Sequence, residues 1–516
     1  MAVSRRRLRG AVTALVAVAV VLFVASGLAR VRRPAPVPFR ATREVLTTYH
    51  YGNARRGVDL LDPSFRHLRR AWSTGPGEIE GAVYAEPLLY GGEVLVATEE
   101  DLVYALRADS GAVLWKLRLG IPASTGSVRA APGLRGCGDI FPLGVTGTPV
   151  ISARLGVMFV AAEVQRPGTS GWRGIEHVLV AVRLADHELL WRRAIDPPGA
   201  SEGSGGGYLV AAEQQRSALT LSHGRVVVEL GGLAGDCSAY HGQVISVPER
   251  GRGPLEYYIT PSRREDAIWA TSGAAANRAG DLYVATGNGS VADRRFEMND
   301  AVIELSPSLR VLGEFAPADW HERDLHDLDL GSAGPVLLPG DRVVFETGKP
   351  GFGPGGVLES WGYLLDASRL GGVGRPLYRG EACPGASPVF GSDALDRVRT
   401  GRSSRLLVVV PCASGLVALE VRSGRRPSFR RRWVVNGAAG ADPNGPPIIA
   451  GGLVWSISTG ADGGHGPASV LYGIEPSSGR IVVEKQLLPV THFATPAAGD
   501  GEIVVAGLEG VEAFRP

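Results

Sequence analysis

EVLVATEEDLVYALRADSGAVLWKLRL, Glu93 to Leu119, is the stretch on which the fold turns. It reads as three short strands. Glu93–Thr98 alternates and turns at Glu99–Asp101. Val103–Ala108 follows, and Asp109-Ser110-Gly111 supplies the Asp and Gly that a tight turn favours. Ala112–Leu119 leaves the turn carrying Trp115. With Pro87–Tyr90 ahead of Gly91-Gly92, this is a four-stranded antiparallel meander of about 35 residues, the size of one propeller blade. A lone sheet of this kind cannot bury both faces, so it implies neighbours of the same kind.

The neighbours are legible. The third strand and its turn recur at Leu179–Trp191 (LVAVRLADHELLW), Val244–Gly251, Val302–Arg310, Tyr363–Gly372, Leu416–Gly424 and Leu471–Gly479, and finally in VEAFRP ending at Pro516. That makes eight copies. The last stops before its fourth strand. Near the start, Leu68–Thr74 is an orphan fourth strand, with Trp72 where Trp115 sits in its own copy. Pairing the two removes the exposed edge. The expectation is an all-β, eight-bladed propeller closed by its N- and C-terminal strands.

The chain has 516 residues, 71 glycines and a net charge of +2. Acids and bases read as interspersed, which gives no case for nucleic acid. The first 33 residues differ. Arg5, Arg6, Arg7 and Arg9 precede an apolar run, Ala11–Ala29, followed by Arg30, Arg32 and Arg33. The run is long enough to cross a bilayer as a helix. The N-terminal basic cluster favours an N-inside orientation, which the arginines after the run oppose. A cleavable signal peptide is the competing reading, because Ser26–Ala29 offers small residues. The favoured division is a single-pass anchor over 1–33, a linker over 34–46 stiffened by Pro34–Pro38, and an extracytoplasmic propeller over 47–516.

Four cysteines suit export. Three pairings are possible, and the reading taken is Cys137 with Cys237 and Cys383 with Cys412. The second pair lies within one blade length; the first ties two long connecting loops. There is no CxxCH for covalent haem and no CxxC for a cysteine zinc site.

YALRADSGAVLW resembles the repeat of pyrroloquinoline quinone (PQQ) propellers, over roughly Tyr49 to Pro516. That group spans quinoprotein alcohol dehydrogenases and non-catalytic relatives, among them the propeller lipoprotein of the outer-membrane β-barrel assembly machinery. Ile268–Ser290 is similar to the dehydrogenase segment in which a Trp stacks on the quinone and an Asn ligates calcium, which implies those roles for Trp269 and Asn288. His326–Leu338 is similar to the segment with the catalytic Asp; Asp329 matches, with Asp327 as the alternative, in the role of a general base. Glu346–Gly372 resembles the stretch carrying a cation that contacts the quinone, here Lys349, interrupted by an insertion at about Pro350–Ser360. Two departures stand out: no adjacent cysteine pair occurs, and for the calcium-binding Glu only Glu163 offers itself.

Three further groups are candidates. His321, Glu322, Asp324 and His326 cluster as metal-ligating types. Gln214-Gln215-Arg216 and Tyr240-His241 are placed to line a central funnel. Gly203–Gly207 is not a phosphate loop, since no Lys-Ser/Thr follows. Two functions compete: a membrane-anchored module that binds a protein or polysaccharide, and a dehydrogenase that oxidises an alcohol or sugar with PQQ and calcium. A repeat shared by enzymes and scaffolds does not choose between them.

Overall fold

The computed structural model describes residues 44–59, 64–198, 208–290, 295–400, 403–437, 441–459 and 469–516. Eight sheets follow one another in chain order. The first pairs Leu88–Tyr90, Glu93–Ala97, Leu102–Arg107 and Val113–Arg118 as the meander expected from the sequence. The inner strands of the other seven blades begin at Val150, Thr220, Ala275, Val336, Ala394, Ile448 and Ala497. Alternation of Val, Leu and Ile against small residues lets each sheet bury both faces, so the inner three strands are apolar and the fourth is wet.

The ring closes through its ends. Arg69–Ser73 pairs antiparallel with Val511–Arg515, Arg69 opposite Arg515 and Ser73 opposite Glu512. Trp72 then packs on Gly111 of blade one and donates from Nε1 to the carbonyl of Ala108 at 2.7 Å. Gly111 holds φ +72°, and a Cβ there would overlap the indole. Trp433 repeats the device on blade seven, donating to Pro476 O at 2.8 Å. Where blade two has His187 in place of the glycine, Trp115 stacks on that imidazole at 4.5 Å. Each of these three seams is thus an aromatic ring packed on a neighbour's turn, contributing on the order of 2 kcal/mol.

Both disulfides form as paired above, with Cα–Cα distances of 6.3 Å for Cys137–Cys237 and 5.9 Å for Cys383–Cys412. Glu44–Leu46, assigned to the linker from sequence, is instead a strand against Leu88–Tyr90. The anchor at 1–33 and Gly203–Gly207 lie outside the described residues. Among the described residues, no helix is long and apolar enough to cross a membrane.

The stretch after Leu46 has a role the sequence did not reveal. Residues 47–59 sweep around the axis and meet one inner strand after another. Thr47 O accepts from Ile151 N, Asn53 O from Ala276 N, Ala54 O from Leu337 N, Arg56 O from Leu395 N, and Gly57 O from Ile449 N. The Asn53 side chain donates to Leu221 O, and the Tyr51 hydroxyl donates to Ala498 O. With Glu44–Leu46 on blade one, this segment touches all eight blades. It plugs the axis at the end where first and second strands turn, the plug face. The long connections, including Cys137–Cys237, lie at the other end, the loop face.

Candidate functional site

The hub is walled by residues just ahead of the inner strands. Tyr84, Thr146, Arg216, Thr271, Phe390 and Phe493 each stand four residues before the first residue of an inner strand. Tyr49 of the plug forms the floor, its hydroxyl 3.2 Å from Thr495 Oγ1. Arg55 secures that floor. It is fully buried and donates to Ala274 O (3.2 Å), Tyr49 O (3.1 Å), Leu219 O (3.2 Å), Thr48 Oγ1 (3.1 Å) and Thr220 Oγ1. Burial lowers its pKa to about 10, opposed by Glu229, Tyr49 and Glu86.

On the loop-face side the hub is filled by rings. Trp269 lies 6.3 Å from Phe390 and 6.4 Å from Phe493, which are 5.5 Å from each other. The Arg216 guanidinium sits 5.8 Å from the indole centroid and is held by Gln214 at 2.9 Å and Asp139 at 3.2 Å. His492 approaches the same Asp139 at 3.4 Å. The cavity bounded by Tyr49, Tyr84, Arg216, Thr271, His492 and Phe493 measures about 10 Å³, space for about one water molecule. A planar quinone needs an open aromatic face and a slot many times larger. PQQ does not fit this cavity, which Trp269 does not line.

The four residues matched to the dehydrogenase site do come together. Asp329 Oδ1 accepts from Asn288 N at 2.8 Å, and Oδ2 lies 2.6 Å from Lys349 Nζ. Gly287 is wedged between Asp329 and the Trp269 indole nitrogen. Lys349 also holds Asp327 Oδ1 at 2.5 Å. Burial works against the ammonium, but Asp329 and Asp327 more than offset it and push its pKa up. Burial raises Asp327, and the Asp329 charge raises it further. Asp236 is raised the same way, by burial and then by Asp329, and accepts from the Tyr240 hydroxyl at 2.6 Å. With both oxygens of Asp329 engaged, the arrangement is a charge clamp between blades four and five. Arg323 braces it, fully buried and donating to Leu328 O at 2.9 Å and Lys349 O at 3.3 Å.

Other candidates disperse. Glu163 faces His177 at 3.5 Å, and His177 Nδ1 is 2.7 Å from Asp196. Asp324 accepts from Gly289 N at 2.6 Å and from Asn299 Nδ2, whereas His326 Nδ1 turns to Glu322 O at 2.8 Å. Among the described residues, no group of three or more His, Cys, Asp or Glu is placed to hold a metal. Of the funnel candidates, Arg216 lines the hub and Gln214 supports it. His241 N donates to Glu213 Oε1 at 2.9 Å, away from the cavity. Sequence reading missed Phe390, Phe493, Asp236 and Asp139. The two phenylalanines were recoverable by counting four residues back from each inner strand.

No family model matches the chain, and no curated protein matches it in sequence. Solved structures do. A europium-containing methanol dehydrogenase superposes with a TM-score of 0.61 at 13% identity, over 92% of this chain and 99% of its own. A quinohemoprotein alcohol dehydrogenase from Pseudomonas putida HK5 gives 0.59 at 14% identity, over 92% and 80%. One from Comamonas testosteroni gives 0.55 at 14%, over 92% and 81%. At such identities the likeness is one of architecture: this chain has the eight-bladed propeller fold that those dehydrogenases share.

Proposed function

We propose that the chain is an extracytoplasmic binding module, held at a membrane by its N-terminal apolar run and engaging a protein or polysaccharide through the loop face. The observation that carries this reading is the filled hub. The plug closes one end, Trp269, Phe390 and Phe493 pack the other, and Lys349 pairs with both carboxylates matched to a catalytic base, Asp329 and its alternative Asp327. An enzyme must keep its whole cofactor shell at once. Here the shell's positions persist as a packed clamp.

The second reading, a quinoprotein dehydrogenase, rests on the convergence of Trp269, Asn288, Asp329 and Lys349. Titrating the purified full chain with PQQ and calcium separates the two. The binding reading expects no quinone absorbance change at micromolar cofactor and no alcohol-dependent dye reduction. Saturable uptake with turnover, abolished by Asp329→Asn, replaces it with the enzyme reading.

A further inference from the structure

The net charge of +2 hides a concentration of charge that the even reading of acids and bases overlooked. Residues 394–435, which form blade six, hold ten arginines against two acids, a net of +8. The rest of the chain is correspondingly acidic. Glu420 is shared by Arg405, Arg430 and Arg432, at 3.4, 3.1 and 3.3 Å. The other acid, Asp396, stands beside Arg397. Arg422, Arg425 and Arg426 are exposed and, among the described residues, form no ion pair.

Their position is set by topology. In each blade the turn between third and fourth strands lies beside the turn between first and second. Ala108 N donates to Gly92 O at 3.1 Å in blade one, and Ala367 N to Arg342 O at 3.0 Å in blade five. Arg422 ends the third strand of blade six, so Arg422, Arg425 and Arg426 project from the plug face. The chain enters at that face too, since Glu44 is paired with Tyr90 at the end of an inner strand. Exposed apolar pairs follow the same turn in other blades: Val113-Leu114, Leu189-Leu190 and Val311-Leu312.

We infer that the plug face lies against an anionic lipid surface, with the arginines of blade six as the electrostatic contact and the apolar pairs as the rim. Charge complementarity argues for lipid headgroups. So does the short tether: 14 residues separate Ala29 from Glu44, a reach of at most about 45 Å. This deepens the membrane reading and rests on it.

The test uses the full chain in nanodiscs of phosphatidylcholine, with and without phosphatidylglycerol, and follows trypsin cleavage after Arg422 and Arg425. Cleavage should slow at least about fivefold with phosphatidylglycerol, one engaged arginine's worth, and recover at high salt. Cleavage after Arg263, on the loop face, should not change. Equal rates in both discs overturn the contact and leave the anchor standing. Failure of the chain to enter either disc overturns both. Equal protection by a soluble heparin fragment in phosphatidylcholine discs also overturns it, and assigns the patch to a soluble polyanion.

Discussion

Replacing Arg55 with Met removes the pin of the plug. Five hydrogen bonds vanish, and the carbonyls of Ala274, Leu219 and Tyr49 lose a donor in a site water does not reach. The cost of burying the guanidinium is also relieved, so the net is smaller than five charged bonds. Removing one partner from such a buried network costs about 4 kcal/mol, which for a body of this size is about 4 °C in Tm. The damage should be local. The amides of Ile151, Ala276, Leu337, Leu395 and Ile449 have their acceptors in the plug. Their exchange should accelerate by up to about a thousandfold, following from that free energy, while outer-strand amides hold. The loss should also grow with pH. Burial raises Glu229 to about 7, and Arg55 is the main opposing influence. Without the cation its pKa rises further. A carboxyl raised on folding gives stability that is present at low pH and is lost as pH rises through the folded value. The deficit should therefore be larger at pH 9 than at pH 5. Wild-type exchange at those five amides, with an unchanged Tm, would refute the idea that this segment is a lock.

Gly111→Ala should lower stability by about 2 kcal/mol, since it adds a Cβ at positive φ against Trp72; proteolysis should open first at the seam between blades one and eight. Lys349→Met should destabilise by about 3 kcal/mol at neutral pH by stranding the buried carboxylate of Asp329. Calorimetry should show the loss as a lower Tm. The protein should melt higher at pH 5.5 than at pH 9. Burial raises Glu99 to about 8 and Asp101 to about 9, so their contribution is lost as pH rises through those values. Reducing both disulfides should cost roughly 4 kcal/mol for each, given loops of 29 and 100 residues, seen as a lower denaturant midpoint.

The cluster around Asp329 was visible in outline. Trp269, Asn288, Asp329 and Lys349 were matched by motif, and they do meet. The motif carried no information on what fills the space among them. Phe390 and Phe493 reach Trp269 from blades six and eight, more than a hundred residues away. The plug escaped for a similar reason. TTYHYGNARRGVD, Thr47–Asp59, has no period of two or 3.6, because its hydrogen-bond partners are spread over seven strands and not along one neighbour. The charge of blade six was countable in the sequence; which face it occupies was not.

Local chemistry therefore determined the architecture. Turn residues after alternating strands repeat eight times, and an orphan strand at one end complements a missing one at the other, because each sheet must cover its neighbour's face. Only the tertiary structure decided the hub and the faces. Closing the ring brings side chains from every blade to a single axis, where the space left over depends on all of them at once and on no stretch read alone.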